Sequence, residues 1–358
     1  MTGGDCNISD RWAAEYYLPQ FEKAIKVGGV REIMTAHVAV NGVRMAANNF
    51  FNQHVARDSF GFTGLFTSDC GDVGGVKRNS TDEVCAAAMV EGGLSVNCGG
   101  FLPKHLASAV ASGTVSEDVI DAALARTWEA SLTLGNFDTP NERTSVPASV
   151  IDSPAHRELA LEAAKDGIVL LKNEAEALPL KPTDTVAMLG PAANATFVMQ
   201  SNYQGYSRII LENSPLLAMR RRMGKRLHYS LGCTYVGNAS SESELRIAAA
   251  VDVAKAATAA VIVVGIVPDS SYIAALSSSA DPNAVESEGH NRKDIILPGR
   301  QEELIARVAA VNPRTIVVFI HGGAVTLHAS VSAKIPAFVD ANYPGNSFSS
   351  WNIVRSIF

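Results

Sequence analysis

The residues best placed to do chemistry are carboxylates. In GFTGLFTSDCG (61–71), apolar residues carry a short buried strand over Gly64–Ser68, and Asp69 follows just where the strand must end. Gly71 then turns the chain away. A carboxylate at the carboxyl end of a parallel strand stands where α/β folds build active sites. The same residue could instead cap the next turn. A second acidic pair, Glu286 and Glu288, lies in AVESEGHNR (284–292). It is either a carboxyl that swings from a loop toward a neighbouring site or part of a solvated acidic surface. Two carboxylates form the simplest catalytic set the residues allow.

Other chemistries lack their residues. The turn after the strand at 185–189 reads Gly190-Pro-Ala-Ala-Asn194, without the glycines that cradle a pyrophosphate, and no Walker motif occurs. The eight histidines are dispersed and no C-x-x-C or H-E-x-x-H is present, so no metal site is expected. A G-x-S-x-G elbow is absent as well. Net charge is −6, and the basic residues are scattered apart from Arg220-Arg221-Arg222, which argues against a nucleic-acid partner. No apolar run reaches the roughly 18 residues of a membrane span. The amino terminus MTGGDCNISDRW is not a signal peptide, yet sequons stand at Asn7, Asn79, Asn194 and Asn238. Five cysteines leave room for one or two disulfides and a free thiol. The compartment stays open: extracellular or endomembrane if a leader lies upstream of Met1.

The carboxylates must be held by the surrounding elements. A helix is expected over 11–28, a strand over Arg31–Val38, a helix over Phe50–Asp58, then the Asp69 strand. An Ala-rich helix over Thr81–Glu91, a strand over Leu94–Cys98 and helices over 102–113 and 116–134 complete an α/β repeat of three parallel strands. Ile33, Leu65 and Phe66 read as apolar on both strand faces. A Pro-rich stretch over 136–158 looks like a linker. Beyond a helix at 155–166, strands are expected at Thr185–Leu189, Leu227–Leu231, Ala259–Ile266, Arg314–Ile320 and Ala337–Ala341. Helices at 214–224, 242–258 and 299–312 separate them, which suggests a doubly wound sheet. A long polar loop covers 267–298.

Longer stretches carry a family resemblance. YYLPQFEKAIKVGGVREIM (16–34), GFTGLFTSDCG, GGLSVNCGGFLPKHLASAVASGTVSEDVIDAALARTWEASLTLGNFD (92–138), LALEAAKDGIVLLKNEAEALPL (159–180), NRKDIILPGRQEELI (291–305), HGGAV (321–325) and ANYPGN (341–346) occur in this order. Together they resemble the family 3 glycoside hydrolases, in particular the β-xylosidase and α-L-arabinofuranosidase branch. The resemblance implies an α/β fold: the C-terminal part of a (β/α)8 barrel, strands six to eight, at 1–138. A linker at 139–158 and an α/β/α sandwich domain at 159–358 would follow. The first five barrel strands and the end of the sandwich would lie outside these 358 residues.

The resemblance also implies roles. Asp69 would be the nucleophile and Glu288 the general acid/base, with Glu286 the second candidate. Met34, His37, Cys70 and Cys98 would line the sugar pocket. The implied reaction is a two-carboxylate double displacement on terminal β-xylosyl or α-L-arabinofuranosyl residues of an oligosaccharide, with no cofactor. A retaining enzyme of this kind holds its carboxyls about 5–5.5 Å apart. Cys70 and Cys98 would end adjacent barrel strands, close enough for a disulfide, whose bulk would favour a pentose over a hexose. The chain departs from the family pattern at several places, a longer loop before Glu286 among them. His37 replaces a Tyr that hydrogen-bonds the nucleophile, Ser95 an Asp, and Asn291-Arg292 an Asp-Arg pair. A degenerate homologue with a structural or carbohydrate-binding role is the rival expectation. Taken alone, the 358 residues are expected to show no appreciable glycosidase activity and a poorly stable amino-terminal region.

Overall fold

The computed structural model describes residues 4–72, 80–139, 146–196, 198, 214–267, 286, 292–345 and 357. The chain divides between Val146 and Pro147 into two compact units.

The first unit holds β1 (Asp5–Cys6), β2 (Glu32–Thr35), β3 (Ala39–Val40), β4 (Val43–Arg44) and β5 (Leu65–Ser68). β2 and β5 pair in parallel, Glu32 opposite Leu65 through Thr35 opposite Ser68. Along β5 Phe66 and Ser68 are buried, while Leu65 and Thr67 are only partly so. The second face of the pair carries Glu32, Met34, Leu65 and Thr67, with a Thr67 hydroxyl bond to Glu32. It is therefore mixed in polarity, against the expectation of apolar residues on both faces. The strand expected at Leu94–Cys98 shrinks to one parallel bridge, Thr67 with Val96. The reason is local: Ser95 and Val96 both donate to the Phe66 carbonyl, at 2.8 and 3.0 Å, so the ladder cannot advance. The helix expected over 11–28 is broken into Asp10–Trp12, a π-helical turn Ala13–Tyr17 and Pro19–Lys26. Pro19 has no N–H with which to continue the earlier turn.

Helix Asp82–Glu91 forms because Thr81 caps it and two acidic residues occupy its first turn. It buries Cys85, Ala86, Ala87, Met89 and Val90. It stops at Gly92, where a Cβ would come within 2.6 Å of the Ala47 backbone. Beneath β5 lies Arg57, 9% exposed, its guanidinium 5.4 and 5.0 Å from the Phe62 and Phe66 rings. It donates to the carbonyls of Phe62, Gly64 and Gly93 at 3.3, 2.9 and 3.3 Å. Burial lowers its pKa to about 10. Arg57→Met would leave buried carbonyls unpaired beneath β5, each costing about 1–3 kcal/mol. Chemical denaturation of the variant is expected to show a loss of about 3 kcal/mol in the first unit's transition.

The second unit holds β6 (Val169–Asn173), β7 (Val186–Leu189), β8 (Leu227–Ser230), β9 (Ala259–Gly265), β10 (Thr315–Ile320) and β11 (Ala337–Asp340). They form one sheet in the order β6-β11-β10-β9-β7-β8, parallel except for β6. Every residue of β9 and β10 is buried, because hydrophobic clusters cover both faces. Val261, Val263 and Val318 point into one cluster, and Ile262, Val264 and Val317 into the other. Helix Ser241–Lys255 starts at a capping box between Ser240 and Ser243. The antiparallel edge strand β6 had no counterpart among the expected elements. Its residues Val169, Leu170 and Leu171 are 48–58% exposed and show no alternation, so neither period nor burial marks them as a strand.

Candidate active site

In the first unit the parallel pair ends at Ser68, and Asp69 is the next residue. Asp69 continues the row of Leu65 and Thr67 and is half-buried, with Oδ1 accepting from Cys70 N–H at 2.6 Å. The Asp69 carbonyl accepts from Asp72 N–H at 3.3 Å, and Gly71 at φ 82° lets this four-residue turn close. Ser68 fixes the strand end: its Oγ accepts from Asn97 Nδ2 and Cys98 N–H, both at 3.0 Å. Asn97 Oδ1 in turn caps helix Phe101–Ala111 by accepting from Phe101 and Leu102 N–H at 3.1 and 3.3 Å. A disulfide joins Cys70 to Cys98 across these strand ends, with Cα atoms 4.6 Å apart.

His37 does not meet Asp69 itself. Its Nε2 lies 3.1 Å from the carbonyl of Cys70, and its Nδ1 lies 3.5 Å from Asp72 Oδ1. Arg44 Nη1 donates to the His37 carbonyl at 3.1 Å and stands 3.9 Å from the same Asp72 oxygen. The Asp72 side chain is fully buried, and neither oxygen has a hydrogen-bond partner among the described residues. Burial raises its carboxyl above the ordinary range. His37 and Arg44 pull the other way, and Asp69 adds to the rise. Met34 is 61% exposed on β2, opposite Thr67.

In the second unit Glu286 stands against the carboxyl ends of the parallel strands. Its N–H donates to the Val267 carbonyl, just beyond β9, at 2.8 Å. Its Oε2 accepts from Gly322 N–H at 2.9 Å and from the Tyr343 hydroxyl at 3.3 Å, beyond β10 and β11. A Cβ at Gly323 would come within 2.1 Å of Glu286 Oε1, so a side chain there would displace the carboxylate from this position. His321 braces the same turn, with Nδ1 2.6 Å from the Gly323 carbonyl and Nε2 3.2 Å from Asp340 Oδ1. Burial raises the Tyr343 phenol pKa well above its ordinary range, and the charge of Glu286 and its hydrogen bond add to this. Arg292 Nη1 donates to Ala324 O at 2.9 Å, tying the segment after the acidic pair to the same turn. Glu288 lies outside the described residues.

Of the residues singled out in the sequence, Asp69, His37, Cys70 and Cys98 gather around one strand end, and Met34 lies on β2 beside them. Sequence reasoning missed Asp72, Ser68 and Asn97 in the first unit and Tyr343 and Gly322 in the second. Tyr343 stands inside ANYPGN and Gly322 inside HGGAV, so a weak signal existed for both. Asp72 had only the D-C-G-D turn to mark it.

The sequence model of the glycosyl hydrolase family 3 N terminal domain matches residues 5–130, and that of the glycosyl hydrolase family 3 C-terminal domain matches residues 168–352. A protein named "Probable beta-D-xylosidase 7" from Arabidopsis thaliana is 34% identical over 349 residues, covering 93% of this chain and 42% of the relative. A "Probable exo-1,4-beta-xylosidase" from Aspergillus fumigatus is 31% identical over 356 residues, covering 97% and 43%. Among solved structures, a family 3 exo-β-xylosidase in complex with a xylobiose aziridine activity-based probe superposes with a TM-score of 0.86 at 30% identity. That match covers 99% of this chain and 44% of the other. The chain thus spans less than half the length of these relatives. With one family model matching more than half of its residues and the other most of the remainder, the chain belongs to glycosyl hydrolase family 3.

Proposed function

We propose that the protein is a retaining β-xylosidase in which Asp69 is the nucleophile and Glu288 the general acid/base. The first unit is read as strands six to eight of a (β/α)8 barrel, and the second as the sandwich domain that follows it. The observation that carries this reading is the mounting of Asp69. It stands at the carboxyl end of parallel β5, its carboxylate receiving Cys70 N–H and the next residue bridged to Cys98. A rigid, half-exposed carboxylate suits attack on an anomeric carbon.

In the first step Asp69 attacks the anomeric carbon while the protonated Glu288 gives its proton to the departing glycosidic oxygen. The sugar becomes an ester of Asp69. In the second step the Glu288 carboxylate takes a proton from water, the resulting hydroxide attacks the anomeric carbon, and Asp69 leaves as a carboxylate with the configuration retained. Glu286 is read as an anchor, because one of its oxygens is already shared by Gly322 N–H and Tyr343 OH. The Cys70–Cys98 bridge lies next to the nucleophile, and its bulk is read as disfavouring the hydroxymethyl group that a hexose carries and a xylose lacks.

Two measurements on an active form of the protein test this reading. Proton NMR of xyloside hydrolysis is expected to show the β-anomer of xylose as the first product. Aryl β-xylosides are expected to turn over at least about tenfold faster than aryl β-glucosides, with aryl α-L-arabinofuranosides between them; a lost pocket contact of that size is worth about 1.4 kcal/mol. First appearance of the α-anomer would overturn the retaining mechanism, and equal turnover of xyloside and glucoside the pentose preference.

A further inference from the structure

The reaction proposed above leaves the buried Asp72 carboxyl unused. Asp72 closes the turn that Asp69 opens, its side chain is wholly inside, and its oxygens have no hydrogen-bond donor among the described residues. The groups facing it are His37 Nδ1 at 3.5 Å, Arg44 Nη1 at 3.9 Å and the like charge of Asp69. An unpaired buried carboxyl is costly, so a fold that keeps one gains from what it orients.

We propose that Asp72 and His37 are a positioning pair that sets the Asp69 carboxylate. The geometry gives the sequence of contacts. A carbonyl only accepts, so the 3.1 Å contact between His37 Nε2 and Cys70 O puts a proton on Nε2. Nδ1 then faces Asp72 Oδ1 at 3.5 Å, and a second proton held between the two, on the nitrogen or on the carboxyl, fixes this ring orientation. Cys70 is consequently gripped on three sides: its carbonyl by His37, its side chain by Cys98 and its N–H by Asp69 Oδ1. Loosening the first grip frees Cys70, whose N–H the nucleophile accepts. His37 therefore acts through Cys70, and Asp72 acts through His37.

The inference rests on the reading of Asp69 as nucleophile, and the test keeps the two apart. In His37→Gln the amide nitrogen takes the place of Nε2 and can still donate to Cys70 O. In His37→Asn the shorter amide faces Asp72 alone. In an active form of the protein with 4-nitrophenyl β-xyloside, His37→Asn is expected to lose about tenfold to a hundredfold in kcat with KM within about threefold, and His37→Gln to stay within about threefold in both. Nitrogen-15 NMR of the wild type is expected to show Nε2 of His37 protonated, and Asp72→Leu to give a mixture of ring forms. Equal losses in the two His37 variants, or a wild-type spectrum with only Nδ1 protonated, would overturn the pair. If Asp69→Asn leaves the xyloside turnover of the active form unchanged, the reading of the reaction fails and the nitrogen spectra alone decide on the pair.

Discussion

Asp69→Asn is expected to lower xyloside turnover by on the order of ten-thousand-fold in any active form of the protein, equivalent to about 5.5 kcal/mol of barrier. The substitution is nearly isosteric. An amide oxygen can still accept Cys70 N–H, and the Cys70–Cys98 bridge and the Ser68–Asn97 contact are untouched. The thermal midpoint should therefore move little while kcat collapses, because an amide cannot form the ester intermediate. Binding of a xylose-like inhibitor should persist within about tenfold, since substrate contacts remain. Loss of kcat together with a lowered thermal midpoint would mean that Asp69 serves the turn and not the reaction.

Glu288→Gln is expected to separate substrates by leaving group. General acid catalysis contributes about a hundredfold to ten-thousand-fold, and the loss should appear in full for xylobiose, whose leaving sugar needs a proton. For 2,4-dinitrophenyl β-xyloside, which leaves without protonation, the first step should be nearly unaffected. Added azide should then restore turnover by attacking the ester in place of activated water, giving β-xylosyl azide. Glu286→Gln is the matched control. Its carboxylate is engaged by Gly322 N–H and Tyr343 OH, so its loss should weaken both substrates alike, by about tenfold or less, with no azide rescue. Rescue that follows position 286 would exchange the two roles.

The parallel strands of the second unit were legible because burial on both faces writes continuous apolar runs. Ala259–Gly265 and Thr315–Ile320 stand out in the sequence for that reason. The Asp69 turn was legible from the apolar run that precedes it and the glycine that follows. Cys70 and Cys98 could be paired only once the resemblance had made their strands neighbours, and the structure joins them. Less could be read where partners come from far along the chain. Val96 makes a single bridge because two successive N–H groups share the Phe66 carbonyl, a detail no residue pattern encodes. Edge strand β6 is set by its antiparallel neighbour β11, with a bulge between Phe338 and Val339, and not by its own periodicity. Asp72 resembles any turn aspartate until His37 and Arg44, about 30 residues earlier, are seen to converge on it. Tyr343 acquires its role only from Glu286, 57 residues away.

The central claim is that Asp69 becomes covalently bonded to the sugar, and trapping that bond tests it most directly. An active form of the protein would be incubated with a xylose-configured aziridine, which opens on attack by the nucleophile and stays attached. It would then be digested and mapped by mass spectrometry. The account predicts one label, on Asp69 in the peptide that contains GFTGLFTSDCG, and none in Asp69→Asn. Stoichiometric label on a different carboxylate, or label of unchanged yield in Asp69→Asn, would contradict it.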